Sequence, residues 1–97
     1  MSYRLTEDAV DDIEELLAYI AQDSRSSAER VHGHLIAAFR RVGEQPDLGH
    51  FREDLAPKPL RFWRVHSYLV VYRPDTKPVE ILRILSGFRD IPNLLPE

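Results

Sequence analysis

The stretch Val79–Leu85, "VEILRIL", constrains the chain most strongly. Apolar side chains occupy both parities of the run, so as a strand it is apolar on both faces. Such a strand belongs inside a sheet, with a covering layer over each face. Arg83 interrupts it. A period of two puts Arg83 on one face with Val79, Ile81 and Leu85. A guanidinium there needs a carboxylate and hydrogen bonds, or else its face opens to solvent or a partner. Two readings follow: a structural ion pair with Asp90 or with an acid of the first helix, or part of a basic patch on the sheet face opposite the helices.

The rest of the chain supplies the covering layers. Ser2–Leu5 is a short strand. Thr6 offers an N-cap hydroxyl, and Glu7, Asp8, Asp11 and Asp12 fill the first turns, where the helix dipole favours anions. Val10, Ile13, Leu17 and Ile20 recur at helical spacing with Leu16 beside them, which predicts a helix over 7–22. "DSRSS" breaks the pattern, and Ser24 is a second N-cap. Ala28, Val31, Leu35, Phe39 and Val42 share the next helical face, with Gly43 ending the helix and Pro46 blocking its return. The two helices form an antiparallel hairpin. "QPDLGHFREDLAPKP" holds three prolines and a glycine and reads as a loop. Leu60–Val65 and Tyr68–Arg73 then read as a β-hairpin turning at His66 and Ser67. The order is β-α-α-β-β-β.

The expected fold is α+β: an N-terminal strand and a helical hairpin packed on one face of a small, mainly antiparallel sheet of three to four strands. At 97 residues the expectation is a single domain, 1–97. No apolar run approaches the roughly 20 residues that span a membrane. The acidic N-terminus lacks the order of a signal peptide. Cysteine is absent, which excludes disulfides and thiolate metal sites and fits a cytoplasmic location.

Charge is unevenly placed. The chain carries a net −3, so it is not a globally basic nucleic-acid binder. Residues 1–30 hold three arginines and eight acids, whereas 31–97 hold ten Lys/Arg and eight acids. An acidic helical front and a mildly basic strand half imply two different surfaces, or simply acids that favour a helix start. No phosphate-binding glycine loop and no nucleophile elbow occurs. Asp11/Asp12 and Glu14/Glu15 are neighbours that splay apart, as on a solvated helix face. His32 and His34 point to different faces of a helix, His50 lies in the loop and His66 at the turn, so no pair has metal-ligand spacing. Trp63 and Tyr72 read as core aromatics. No metal, cofactor or catalytic set is expected from these patterns.

Five segments in order resemble the RelE/ParE superfamily of bacterial toxins. They are "LTEDAVDDIEELLAYIAQDS", "SAERVHGHLIAAF", the Pro-x-x-Gly loop in "EQPDLGHFREDL", the basic-aromatic hairpin "LRFWRVHSYLVVYRP", and the closing strand with its Arg-Asp in "VEILRILSGFRDIPNLL". The resemblance implies a toxin of a type II toxin–antitoxin pair of the plasmid-stabilisation kind. RelE-like members cleave mRNA on the ribosome without a metal, which needs a base or orienting group, cations and an acid. Against that branch this chain has Leu69 where an arginine follows the tyrosine, and Leu94 and Leu95 where a C-terminal tyrosine is expected. It keeps Arg89.

The likeness therefore implies the ParE-like branch, which is non-enzymatic, inhibits DNA gyrase and is neutralised by a ParD-like antitoxin. No direct, specific nucleic-acid binding by the toxin alone is implied. The alternatives are a ribosome-dependent RNase using Arg89 with Arg61, Arg64 or His66, and a non-toxic member that only binds its antitoxin in operon autoregulation. Target-binding residues on this reading are Arg61, Arg64, Arg83, Arg89 and Asp90. A disordered antitoxin segment needs an apolar groove and an open strand edge. Ala9, Ile13, Leu16 and Tyr19 are the residues proposed to line it, with the share already taken by the sheet left open.

Overall fold

The computed structural model describes residues 2–86. Arg89, Asp90, Leu94 and Leu95 lie outside the described residues. The elements are β1 (Tyr3–Leu5), α1 (Glu7–Ala21), α2 (Arg25–Glu44), a short 3-10 turn (Pro46–Leu48), β2 (Arg61–Val65), β3 (Tyr68–Arg73) and β4 (Val79–Ser86). The four strands form one sheet in the order β1-β4-β3-β2. β4 lies inside it, as its two apolar faces require, parallel to β1 and antiparallel to β3, while β2 is an antiparallel edge.

Both helix starts follow from their caps. The Thr6 hydroxyl accepts from Ala9 N at 3.1 Å, and the Ser24 hydroxyl from Ser27 N at 3.1 Å. Each satisfies one of the four backbone donors that a helix start leaves unpaired. The α2 stripe is buried as predicted: Ala28, Val31, Leu35, Phe39 and Val42, with Ala38 added. On α1 the stripe is rotated. Ala9 and Ile13 are its buried positions, whereas Val10 is exposed. Leu16, Leu17 and Ile20 pack half-buried against the same core.

Gly43 does not end α2, which runs on to Glu44. Its role is close approach. A Cβ there would meet Ser2 Oγ at 2.6 Å and Ser2 O at 2.7 Å, so the last turn of α2 can lie on the start of β1 only with hydrogen at that position.

The sheet separates two apolar clusters. On the helix side lie Val65, Val70, Tyr72, Val79, Ile81 and Ile84, together with the buried faces of α1 and α2. The other cluster joins Phe62, Leu69, Val71, Leu82 and Leu85 to Leu55, Ala56 and Leu60 of the long loop. The face opposite the helices is therefore a second apolar layer under a loop, not an arginine patch. Strict alternation also fails in β4. Val71 pairs with Arg83 but Tyr72 pairs with Ile81, so Leu82 is an extra residue, a β-bulge. The bulge reverses the parity of the strand beyond it. Ile84 joins Val79 and Ile81 beneath the helices, and Leu85, expected on their face, joins Leu82 on the other.

Candidate functional site

β1 covers β4 only from Val79 to Ile81. Past that point, among the described residues, no strand pairs with β4 on this side, and α1 takes over with polar side chains. The Thr6 hydroxyl donates to Leu82 O at 2.9 Å. The Asp12 carboxylate accepts from Ile84 N at 2.9 Å and from Arg83 Nε at 2.8 Å and Nη2 at 3.0 Å. Such charge-assisted pairs are among the stronger hydrogen bonds of proteins. The hydrogen-bonded carboxylate also raises Arg83 above the ordinary arginine pKa, so its charge is fixed. Arg83 thus pairs with an acid of the first helix, one of the partners expected for it. Asp12, read from sequence as part of a solvated face, is the edge cap of the central strand; its neighbour Asp11 is exposed.

Beyond this cap a groove of about 530 Å³ opens between α1 and the ends of β3 and β4. Leu16, Tyr68, Ile84 and Leu85 supply apolar lining, Asp12 and Glu15 an acidic rim, and Tyr19, Ser67 and Ser86 the outer lip. Helical geometry brings Asp12, Glu15, Leu16 and Tyr19 to one side of α1 at spacings of three and four. Tyr19 is 73% exposed, an unusual amount for an aromatic side chain. Of the four α1 residues proposed to line a groove, Leu16 and Tyr19 do so. Ala9 and Ile13 are committed to the core.

The arginines of the β2–β3 hairpin do not act as one patch. Arg61 is pinned: its Nη1 donates to Gly49 O at 2.7 Å, and its guanidinium lies 4.0 Å over the Phe51 ring and 3.5 Å from the Asp47 carboxylate. It ties the long loop to β2. Arg64 is exposed and donates from Nε to His66 O at 2.9 Å, across the turn. Trp63 is half-buried against the core, with Arg41 5.7 Å over its ring. Tyr72 is fully buried, and its hydroxyl donates to Pro46 O at 2.6 Å and accepts from Gly49 N at 2.8 Å. Burial pushes this phenol above its ordinary pKa.

Two histidines far apart in sequence meet: His34 Nδ1 lies 2.6 Å from His66 Nε2. No spacing rule could find this pair, because it joins α2 to the β2–β3 turn. Among the described residues no group of three or more His, Cys, Asp or Glu could hold a metal ion, and no helix is long and apolar enough to cross a membrane.

A helical hairpin on one face of an open, mixed four-stranded sheet is a fold shared with a toxin–antitoxin structure, the chromosomal ParDE TA system from P. aeruginosa. The similarity covers 91% of this chain and 97% of that chain, with TM-score 0.73 and 18% sequence identity. Residues 3–91 match the family model of the ParE toxin of type II toxin-antitoxin system, parDE, and the chain belongs to that family. No curated protein matches the sequence.

Proposed function

We propose that this toxin acts by binding rather than by catalysis, with DNA gyrase as its target. On this reading a ParD-like antitoxin neutralises it by folding a disordered segment into the groove beside β4. The observation that carries the antitoxin reading is the groove itself. It combines apolar floor residues, an exposed tyrosine and a strand edge that β1 leaves after Ile81. Thr6 and Asp12 already engage Leu82 O and Ile84 N along that edge, so on this reading the segment docks chiefly through side chains that fill the floor beyond the Asp12 cap. The acidic rim, with Asp12 engaged by Arg83 and Glu15 exposed, favours a segment that brings a basic side chain among its apolar anchors.

The non-catalytic reading draws support from Leu69, which stands where the RNase branch has an arginine. Its side chain is buried in the second apolar cluster. Arg61 is engaged with the long loop, so Arg64 is the exposed hairpin arginine proposed to contact the target. A supercoiling assay with purified toxin and gyrase tests the assignment. Inhibition that the antitoxin reverses is expected, and full supercoiling at saturating toxin would remove gyrase as the target. Codon-specific cuts in a translating extract would instead establish the RNase alternative.

A further inference from the structure

We infer that α2 and the β2 edge together form a docking face for the phosphate backbone of duplex DNA, without reading its sequence. Arginines that lack acids mark this face. Arg4, Arg52, Arg61 and Arg83 each lie within ion-pair distance of a carboxylate. Among the described residues Arg30, Arg41 and Arg64 have no such partner, and all three are exposed. Their isolation begins in the sequence, because residues 30–43 and 55–74 contain no Asp or Glu.

Packing joins these two acid-free segments into one surface. Arg30, His34, Ala37 and Arg41 form a row along α2 at spacings of three and four. Arg41 reaches β2 and lies 5.7 Å over the Trp63 ring. His34 Nδ1 meets His66 Nε2 at 2.6 Å, and Arg64 Nε donates to His66 O. At 1.5 Å per residue, Arg30 and Arg41 stand about 16 Å apart along the helix. That is close to half a helical turn of B-DNA, so the guanidinium groups can meet phosphates along one side of a duplex.

The net charge of −3 does not oppose this contact, because the acids are elsewhere. The acidic helix α1 lies over β4, whereas β2 is the far edge of the sheet. Two strand spacings separate them, about 10 Å, which is a Debye length at ordinary salt. A duplex at β2 therefore also leaves the groove beside β4 free. Trp63 decides which polyanion fits. Arg41 covers its ring and His50 stacks on it with centroids 6.3 Å apart, so no open face remains for an unpaired base. An acidic protein partner would need apolar anchors at the centre of its interface, and the row offers only Ala37 there. A duplex needs the cations alone. The proposed target, DNA gyrase, works on duplex DNA, so the face extends that reading; the test uses no gyrase, so the two can fail separately.

Fluorescence anisotropy should follow a labelled duplex of about 20 base pairs titrated with full-length, untagged toxin from about 50 to about 200 mM salt. We expect a Kd of about 10⁻⁶–10⁻⁴ M at the lower salt. The logarithm of the binding constant should fall against the logarithm of salt with a slope of about −3, as for three phosphates. Arg30→Gln and Arg64→Gln should each weaken binding about fivefold to tenfold and reduce the slope by about 1, equally for two unrelated duplexes. Lys77→Gln removes the same charge from the turn between β3 and β4, and should change affinity by less than about twofold. Arg30 is an exposed helix residue, so its variant should keep the unfolding midpoint of the parent. No saturable binding at the lower salt, or a slope unchanged in both arginine variants, overturns the inference. Displacement of the duplex by polyglutamate at equal charge concentration also overturns it, and would assign the face to an acidic protein segment.

Discussion

Replacing Asp12 by alanine should cost far more than a helix-surface substitution. The carboxylate makes three hydrogen bonds, two to the Arg83 guanidinium and one to Ile84 N. Its side chain is 12% exposed, and that of Arg83 20%. Hydrogen bonds to charged groups contribute about 1.5–3 kcal/mol each, and removing one partner of a fully buried ion pair costs about 3–5 kcal/mol. Here both partners keep some water, which lowers the figure, while the Ile84 amide loses its acceptor. The expected loss is about 2–3 kcal/mol. For a domain of this size that lowers the midpoint of thermal unfolding by roughly 10–20 °C. Urea unfolding should show a lower midpoint with an unchanged slope. Asp12→Asn keeps an acceptor for Ile84 and should lose about half as much. A cycle with Arg83→Met and the double variant should give a coupling of about 1–2 kcal/mol. If Asp12→Ala stays within about 0.5 kcal/mol of the parent, or the coupling is near zero, the edge-cap argument fails.

Three further outcomes are expected. Tyr72→Phe removes a buried hydroxyl bonded to Pro46 O and Gly49 N, and should cost about 1–3 kcal/mol in urea midpoints. The native phenol titrates above its ordinary value, so its contribution is complete below about pH 10, where the unfolded tyrosine ionises, and is lost as pH rises toward the native value; the Phe variant should lack this slope. Gly49→Ala would place a Cβ 2.5 Å from the Tyr72 hydroxyl and 3.0 Å from Phe62 O, so calorimetry should register a loss of about 1–3 kcal/mol, partly relieved when Tyr72→Phe is added. Tyr19→Ala, at an exposed position, should leave stability within about 0.5 kcal/mol. On the groove reading it weakens antitoxin binding by about tenfold or more, read by titration calorimetry; unchanged affinity would place the antitoxin elsewhere.

Much of the architecture was legible in local chemistry. Thr6 and Ser24 cap the helices they were expected to cap, and the α2 stripe is the one its period predicts. The apolar parity of Val79–Leu85 placed β4 inside the sheet before any partner was known. The candidate site was less legible. Ala9 and Tyr19 look alike as groove residues in sequence, yet one is fully buried and the other 73% exposed. The difference is the rotation of α1 about its axis, which packing on β4 sets and periodicity gives only to within a residue. Gly43 read as a terminator because helices commonly end there. Its actual constraint is a neighbour forty-one positions earlier in the chain.

What the sequence determined alone was the two helix starts, the turn between β2 and β3, the buried stripe of α2 and the two-faced last strand. These depend on groups within a few residues of one another, so spacing is enough to read them. Only the tertiary structure decided the bulge at Leu82, which changes the parity of β4, and with it the faces of Ile84 and Leu85. It also decided that Arg83 finds Asp12 and that His34 finds His66, pairs separated by 71 and 32 positions. Contacts of that range are fixed by how the layers pack, and several acids could have served Arg83 equally well on spacing alone. The groove beside β4 is of the same kind: it exists because β1 is three residues long and the strand it covers is eight.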